Sequence, residues 1–202
     1  MLFLGGCNFR CPFCHNHVLV LRPETIETLD EAAILEKLAG WKNWLGGVCV
    51  SGGEPTLDAE LPDLLRRLRR EGWPVKLDTN GSRPEVLDRL LAEGLLDMVS
   101  MDVKAPLAPE KYARCAGVAV DLEKIRASVA LLKASDVQHE FRMTVLPAFH
   151  GEDDIVDWVT ELSGSRLKLQ NFRPIATLDP AFTRAAVFQP DIFNKLCRLA
   201  GA

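Results

Sequence analysis

Three cysteines near the start of the chain, Cys7, Cys11 and Cys14, have the spacing of a metal-binding loop. Thiolates are the ligands that iron–sulfur clusters require, and close spacing lets one loop surround a single inorganic core. An ordinary [4Fe–4S] cluster takes four cysteines, so three leave one iron open, and an open coordination position usually indicates chemistry. Zinc is the alternative, with these cysteines and His15 or His17 as ligands, because ligand type restricts the metal without fixing it.

The composition is that of a globular chain with no sign of a nucleic-acid or membrane partner. Its 202 residues, 48% of them hydrophobic, are enough to bury a core within one domain. A net charge of -4 and a pI near 5.6 argue against a general nucleic-acid binder. No apolar run approaches the length that spans a bilayer. Six cysteines, three of them clustered, fit a reducing cytoplasm.

Apolar strands and amphipathic helices alternate along the chain. Strands are predicted at 1–4, 48–50, 75–78, 98–104, 139–146 and 167–172, with helices between them and a last helix at 191–199. This alternation predicts parallel strands joined by crossovers. Six units are fewer than the eight of a closed barrel. The predicted fold is therefore α/β, an open, partial β/α barrel in one domain over 1–202. Its core covers about 4–174, its helical tail 175–202, and its N-terminus is short for a full first strand.

Unusual polar residues follow the predicted strands at their carboxyl ends, where β/α barrels carry their working residues. Each has an ordinary turn or surface explanation alone, but five strands contribute to one rim. Paired glycines let a ligand approach the backbone, so that bare carbonyls can accept hydrogen bonds from an ammonium group. The other side chains can pair with a carboxylate, hydroxyls or a cation. A ligand with an amine, a carboxylate and a sugar is predicted. Besides the cysteine loop, the residues are Gly52, Gly53, Glu54, Asp78, Thr79, Asn80, Asp102, Lys104 and Arg173.

The pattern Cys7-x-x-x-Cys11-x-Phe13-Cys14, taken with Gly52-Gly53-Glu54-Pro55, resembles the radical S-adenosylmethionine (SAM) superfamily. The resemblance implies a [4Fe–4S] cluster on the three cysteines, with the amino and carboxylate groups of SAM on the fourth iron. It also implies reductive cleavage of SAM to methionine and a 5′-deoxyadenosyl radical. By the same resemblance, Phe13 lies beside the adenine and the backbone of residues 52–55 holds the methionine amine.

Two further segments, Lys76 to Gly81 and Met101 to Lys104, resemble activating enzymes of glycyl-radical proteins, nearest to the anaerobic ribonucleoside-triphosphate reductase activating proteins. In those relatives such residues contact SAM and a monovalent cation. The resemblance extends these roles to Asp78, Thr79, Asn80, Asp102 and Lys104, and a SAM-carboxylate contact to Arg173. It implies a glycyl-radical enzyme as protein substrate, expected to be anaerobic ribonucleotide reductase, and an electron donor such as flavodoxin or ferredoxin.

Two alternatives to this function remain. One is radical chemistry on a small molecule, as in deazapurine synthases, although the Asp-Thr-Asn-Gly and Asp-x-Lys matches favour the activating enzymes. The other is a structural zinc module that binds a partner, which the Gly-Gly-Glu turn disfavours. Partner choice is expected to lie in loop 106–117 and in the tail after Pro174. Structural roles are expected for Cys49, Cys115, Cys197, His139 and His150.

Overall fold

A computed structural model of the chain describes residues 1–201 and contains one sheet of six parallel strands. The strands are β1 (Leu2–Leu4), β2 (Val48–Gly52), β3 (Val75–Thr79), β4 (Met98–Asp102), β5 (Gln138–Val145) and β6 (Arg166–Asn171). Their order in the sheet follows their order in the chain. Within the described residues, β1 and β6 are edges that do not pair with each other. This confirms the predicted open, partial β/α barrel.

Helices connect the strands, and proline often lies in their first turn, where its missing N–H costs nothing. Proline occurs there in α3, α4, α5 and α8. No helix in the described chain is long and apolar enough to cross a bilayer. The helices are α1 (His17–Leu21), α2 (Glu31–Gly40), α3 (Leu61–Arg70), α4 (Pro84–Ala92), α5 (Pro109–Ala116), α6 (Leu122–Ala134), α7 (Glu152–Glu161) and α8 (Pro190–Leu199).

The two faces of the sheet differ sharply in polarity. On β3, Val75 and Leu77 are buried in the core with the helix leucines, whereas Lys76 and Asp78 point to the other, concave face. A strand directs alternate side chains to opposite faces, so this pattern divides the sheet into an apolar and a polar side. Closed β/α barrels fill their interior with bulky apolar side chains. Here the concave face is charged, so it can hold a polar ligand.

The segment 106–117 is not the free loop that the sequence suggested. It contains α5, which buries Tyr112, Cys115 and Ala116 and ends at Gly117 in the left-handed conformation. The carbonyl of Ala116 accepts a hydrogen bond from the Arg10 amide at 2.8 Å. The helix therefore supports the cysteine loop. A proline at its first position and a glycine after its end are the sequence signals that predict such a helix.

The tail after Pro174 also packs against the cysteine loop. The amide of Leu178 donates to the Cys14 carbonyl at 3.0 Å, and the amide of Asp179 donates to the Pro12 carbonyl at 2.9 Å. Further along, α8 buries Leu196. The first part of the tail thus holds the loop that carries the cysteines.

Candidate active site

Cys7, Cys11 and Cys14 face one cavity of about 280 Å³ at the carboxyl ends of the strands. Cys11 is buried, and the other two are half-buried. Burial raises the pKa of all three thiols, that of Cys11 to about 12, while the positive charge of Lys104 acts in the opposite direction. Metal ligation requires thiolates, so a bound metal centre would displace these protons.

The surroundings of the thiols fit a cluster better than a single zinc ion. Among the described residues, no three His, Cys, Asp or Glu side chains are placed to hold one ion. His15 is hydrogen-bonded through Nε2 to the Arg173 carbonyl at 2.8 Å and stacks on Phe172. His17 does not line the cavity. His15 lines the cavity, but its Nε2 is engaged with the Arg173 carbonyl, so the described side chains do not assemble the zinc site of cysteines with His15 or His17. Three thiols around an open cavity suit a larger inorganic core.

The glycine pair at the end of β2, Gly52 and Gly53, lies directly against the cysteine loop. The Gly53 amide donates to the Leu4 carbonyl at 2.9 Å, and the Glu54 amide donates to the Gly6 carbonyl at 2.8 Å. A Cβ on Gly53 would lie 1.8 Å from the Gly6 oxygen, and one on Gly52 would lie 2.2 Å from the Leu4 oxygen. Gly52 also has a φ of +127°. Both glycines are therefore required for chain packing, in addition to lining the cavity.

Glu54 lies behind the cavity and joins the turns after β2 and β3. Its carboxylate accepts hydrogen bonds from the Thr56 amide at 3.0 Å, the Thr79 hydroxyl at 2.7 Å and the Asn80 amide at 2.6 Å. Burial raises the pKa of Glu54, and these hydrogen bonds oppose the increase. Glu54 and the buried Pro55 do not line the cavity, and the carboxylate of Glu54 supports the turns behind it.

We expect Glu54→Gln to lower the free energy of unfolding by about 3 kcal/mol, because an amide nitrogen would face a backbone N–H in place of a carboxylate oxygen. Urea unfolding measures this change. Glu60→Gln is the matched control, since Glu60 is exposed and its side chain makes no capping hydrogen bond. Equal stability of the two variants would contradict a bracing role for Glu54.

Asn80 continues the connection from Glu54 to the cysteine loop. Its Nδ2 donates to Asn8 Oδ1 at 2.9 Å, and Asn8 Nδ2 donates to Ser82 Oγ at 2.8 Å. On the other side of the loop, Asn16 Nδ2 donates to the Gly52 carbonyl at 2.7 Å. Asn8, Asn16 and Ser82 were not predicted as site residues. Short polar residues in loops are too common to identify them without knowledge of which loops meet.

A row of alternating charges crosses the ends of β3, β4 and β5. Asp78 pairs with Lys76 on one side and with Arg142 on the other, and Asp102 pairs with Arg142 at 2.9 Å and with Lys104 at 3.2 Å. Burial acts to raise the pKa of Asp102, but Lys104 and Arg142 outweigh it and hold that pKa below its ordinary value. The carboxylate of Asp102 is therefore charged, and the row contains three cationic and two acidic side chains.

Arg142 is a site residue that the sequence reasoning missed. It lines the cavity beside Asp78, Asp102 and Lys104. Burial opposes its charge, but the carboxylates of Asp102 and Asp78 raise the pKa of Arg142. Its signal in the sequence was an arginine between Phe141 and Met143, two apolar strand residues. An arginine at such a position needs a partner for its charge.

Two predicted ligand contacts differ in their placement. Phe13 lines the cavity and packs against Phe172 and Phe149, with ring centroids 6.4 Å and 5.9 Å away. Arg173 is exposed and does not line the cavity. Its backbone carbonyl, just after β6, is hydrogen-bonded to His15 Nε2. The arginine that lines the cavity is Arg142.

His150 supports the backbone of Lys104 from within the core. Its Nδ1 accepts from the Leu146 amide at 3.3 Å, so its Nε2 donates to the Lys104 carbonyl at 3.0 Å. Burial lowers the pKa of His150. The unfolded chain therefore binds this proton more readily, and we expect stability to fall as pH drops through the ordinary histidine range near ~6.5.

Chemical unfolding across that pH range measures the effect. His150→Asn should be less stable at neutral pH and should show a weaker loss of stability on acidification. His17→Asn should keep the slope of the parent protein, because His17 bonds only its neighbour, the His15 carbonyl. An unchanged slope in His150→Asn would show that other groups cause the acid sensitivity.

An open β/α barrel with thiols, paired glycines and a charged row around one cavity defines a cofactor-dependent enzyme. Residues 1–159 match the family model of the Radical SAM superfamily. The chain therefore belongs to the radical SAM superfamily, and it is an enzyme of that superfamily. Membership implies a [4Fe–4S] cluster and SAM as cofactors.

Individual relatives refine this assignment. A putative glycyl-radical enzyme activating enzyme of Methanocaldococcus jannaschii is 31% identical over 99% of this chain and 83% of its own length. This confirms the resemblance to the activating type. A 7-carboxy-7-deazaguanine synthase of Methanopyrus kandleri is 32% identical over 50% of this chain and 47% of its own length. Among solved structures, Streptococcus suis SuiB bound to precursor peptide SuiA superimposes with a TM-score of 0.77 at 14% identity, over 99% of this chain and 44% of SuiB.

Proposed function

We propose that this enzyme generates a glycyl radical on a partner enzyme, with anaerobic ribonucleotide reductase as the expected partner. One observation carries the proposal: three cysteines, the Gly52-Gly53 turn and four residues of the charged row, Asp78, Asp102, Lys104 and Arg142, line a single cavity. The activating-enzyme relative that aligns with 99% of the chain supports it. The match to the deazaguanine synthase covers only half the chain.

Cys7, Cys11 and Cys14 would hold three irons of a [4Fe–4S] cluster. When bound, the cluster and SAM together supply a carbon-centred radical able to remove a hydrogen atom. The protein contributes binding and orientation, as is usual where a cofactor carries the chemistry. Phe9 and Phe13 line the cavity near the cysteines and are buried, so they exclude water from its wall.

The cavity offers complementary groups for each part of SAM. Lys104 and Arg142 present positive charge to a carboxylate. The backbone of Gly52 and Gly53 can accept hydrogen bonds from an amine. Phe13 presents an apolar ring to the adenine. No side chain is needed as a general acid or base, because a hydrogen atom moves to a carbon radical.

The partner's contribution is a backbone glycine on an extended loop. A glycine radical is unhindered and delocalised over two flanking peptides, which suits long-lived storage. The charged concave face remains open between β1 and β6, so a loop can enter from that side. We infer a cytoplasmic location and an electron donor such as flavodoxin or ferredoxin, because the reaction needs a low-potential electron and a reducing compartment.

Electron paramagnetic resonance after mixing with a partner tests the proposal. The protein is reconstituted anaerobically, reduced with dithionite, supplied with SAM and mixed with anaerobic ribonucleotide reductase encoded in the same genome. We expect a glycyl-radical signal that depends on SAM and is absent when the radical glycine of the partner is replaced by alanine. A cluster-loaded protein that cleaves SAM but yields no glycyl radical on any co-encoded glycyl-radical enzyme would overturn it and favour small-molecule chemistry.

A further inference from the structure

The resemblance to activating enzymes raises the question of a monovalent cation at Asp78, Thr79 and Asp102. The structure does not fit one. Each of the four carboxylate oxygens already faces a positively charged nitrogen, from Lys76, Arg142 or Lys104. The Thr79 hydroxyl donates to Glu54 and accepts from the Gly81 amide at 3.1 Å. A metal cation would have to share each carboxylate oxygen with a positively charged nitrogen.

The charge balance points the same way. Lys76, Lys104 and Arg142 bring three positive charges to the two carboxylates of Asp78 and Asp102. Glu140, a third carboxylate near Arg142, has its own cationic partner in Arg166. Asp78 and Arg142 are largely shielded from water, with side-chain exposures of 12% and 13%. Repulsion between like charges is stronger where water is excluded. An added cation would therefore have to displace one of the three existing ones.

Lys76 differs from the other two cations in its position. It lies two residues before Asp78 on β3, so both side chains project from the same face of the sheet. Asp78, Asp102, Lys104 and Arg142 line the cavity, but Lys76 does not. Lys76 therefore reaches Asp78 from the amino-terminal side of the sheet and leaves the cavity side free for a ligand.

Among the neighbours of Lys76, Asp78 is the one that forms an ion pair with it. In the sheet register, Lys76 lies between Cys49 on β2 and Met98 on β4. Its Nζ is 3.9 Å from Cys49 Sγ. Burial raises the pKa of Cys49, so this thiol stays neutral at ordinary pH. When a ligand carboxylate engages Arg142 or Lys104, Asp78 still keeps the counter-charge of Lys76.

We propose that Lys76 is a built-in counter-ion of Asp78 that takes the place of a monovalent metal cation, so that SAM binding here is independent of Na⁺ and K⁺. Lys76 is thus a positioning residue that acts through Asp78. This proposal rests on the SAM site of the proposed function.

Calorimetric titration of SAM into the cluster-loaded protein tests it, in Na⁺, K⁺ and N-methyl-D-glucamine chloride at equal ionic strength. We expect the affinity of the parent protein to be the same in all three salts. Lys76→Met should bind about tenfold more weakly in N-methyl-D-glucamine, because Asp78 loses a partly buried partner. Na⁺ or K⁺ should restore its affinity. Lys76→Arg, the matched control, should behave like the parent protein.

Two results would overturn the inference. One is a parent protein that needs Na⁺ or K⁺ to bind SAM, and the other is a Lys76→Met variant that matches the parent in every salt. If no salt supports SAM binding, the proposed function fails instead. In that case the thermal unfolding midpoint of the metal-free protein tests the role of Lys76. Na⁺ or K⁺ should raise the midpoint of Lys76→Met relative to N-methyl-D-glucamine, and should leave the midpoint of the parent protein unchanged. Equal responses of the two would reject the role of Lys76.

Discussion

Replacing Cys14 by alanine should abolish [4Fe–4S] assembly while the chain stays folded. Cys14 is half-buried at the edge of the cavity, so its loss leaves little empty core, at a cost of about 1 kcal/mol. The remaining two thiols cannot hold three irons. After anaerobic reconstitution we expect the brown absorbance and the reduced-cluster resonance to be lost, and SAM cleavage with them.

Cys197→Ala is the matched control for that experiment. Cys197 is also a half-buried free thiol, but it lies on α8 and does not line the cavity. This variant should bind iron and sulfide in the same amounts as the parent protein. If Cys14→Ala still assembled the same cluster, or if Cys197→Ala lost it, the assignment of the metal loop would be wrong.

Replacing Gly53 by alanine should be almost as damaging, although it removes no ligand group. Its Cβ would lie 1.8 Å from the Gly6 oxygen and 3.3 Å from the Cys7 Cβ, so the cysteine loop must move. Because a displacement of about an ångström at a reacting centre is worth a hundredfold in rate, we expect SAM cleavage to fall about a hundredfold. Iron content should fall as well.

Gly46→Ala is the control for Gly53→Ala, since a Cβ at Gly46 meets nothing within 4 Å. It should retain parent iron content and SAM cleavage. Gly53 both packs against the cysteine loop and lines the cavity. A displaced loop should change iron content and SAM affinity together, so calorimetry should measure the affinity alongside the iron content. Parent-like activity of Gly53→Ala would mean that the two loops are not in contact in the working enzyme.

The sequence was sufficient for the parts of the site that are local in the chain. The spacing of Cys7, Cys11 and Cys14 and the turn at Gly52 to Glu54 are each contained in a few residues, and the alternation of strands with helices predicted the parallel sheet. Contacts that depend on how two strands align were harder to predict from the sequence. Asp102 and Arg142 are partners on β4 and β5 although 40 residues separate them. Pairing of that kind follows from how two strands align, which no local pattern encodes.

The roles of some predicted residues also changed in the structure. The paired glycines were expected to let a ligand approach the backbone closely. In the structure they also let the backbones of Leu4 and Gly6 approach closely. Glu54 was predicted as a cofactor-binding residue, and in the structure its carboxylate bonds to the turns behind the cavity. Segment 106–117 was predicted to be a loop, whereas it contains α5, whose Tyr112 and Cys115 are buried in the core. Whether such a segment belongs to the core depends on the burial of its helix face, and that burial depends on the surrounding fold.

Transfer of deuterium from a protein glycine to SAM-derived product tests the central claim most directly. Anaerobic ribonucleotide reductase from the same genome is produced with deuterated glycine and mixed with the reduced, cluster-loaded enzyme and SAM. Mass spectrometry then measures the deuterium content of the 5′-deoxyadenosine. We expect it to carry one deuterium, in an amount matching the glycyl radical formed. Unlabelled 5′-deoxyadenosine, formed equally with and without the partner, would contradict hydrogen abstraction from a partner glycine.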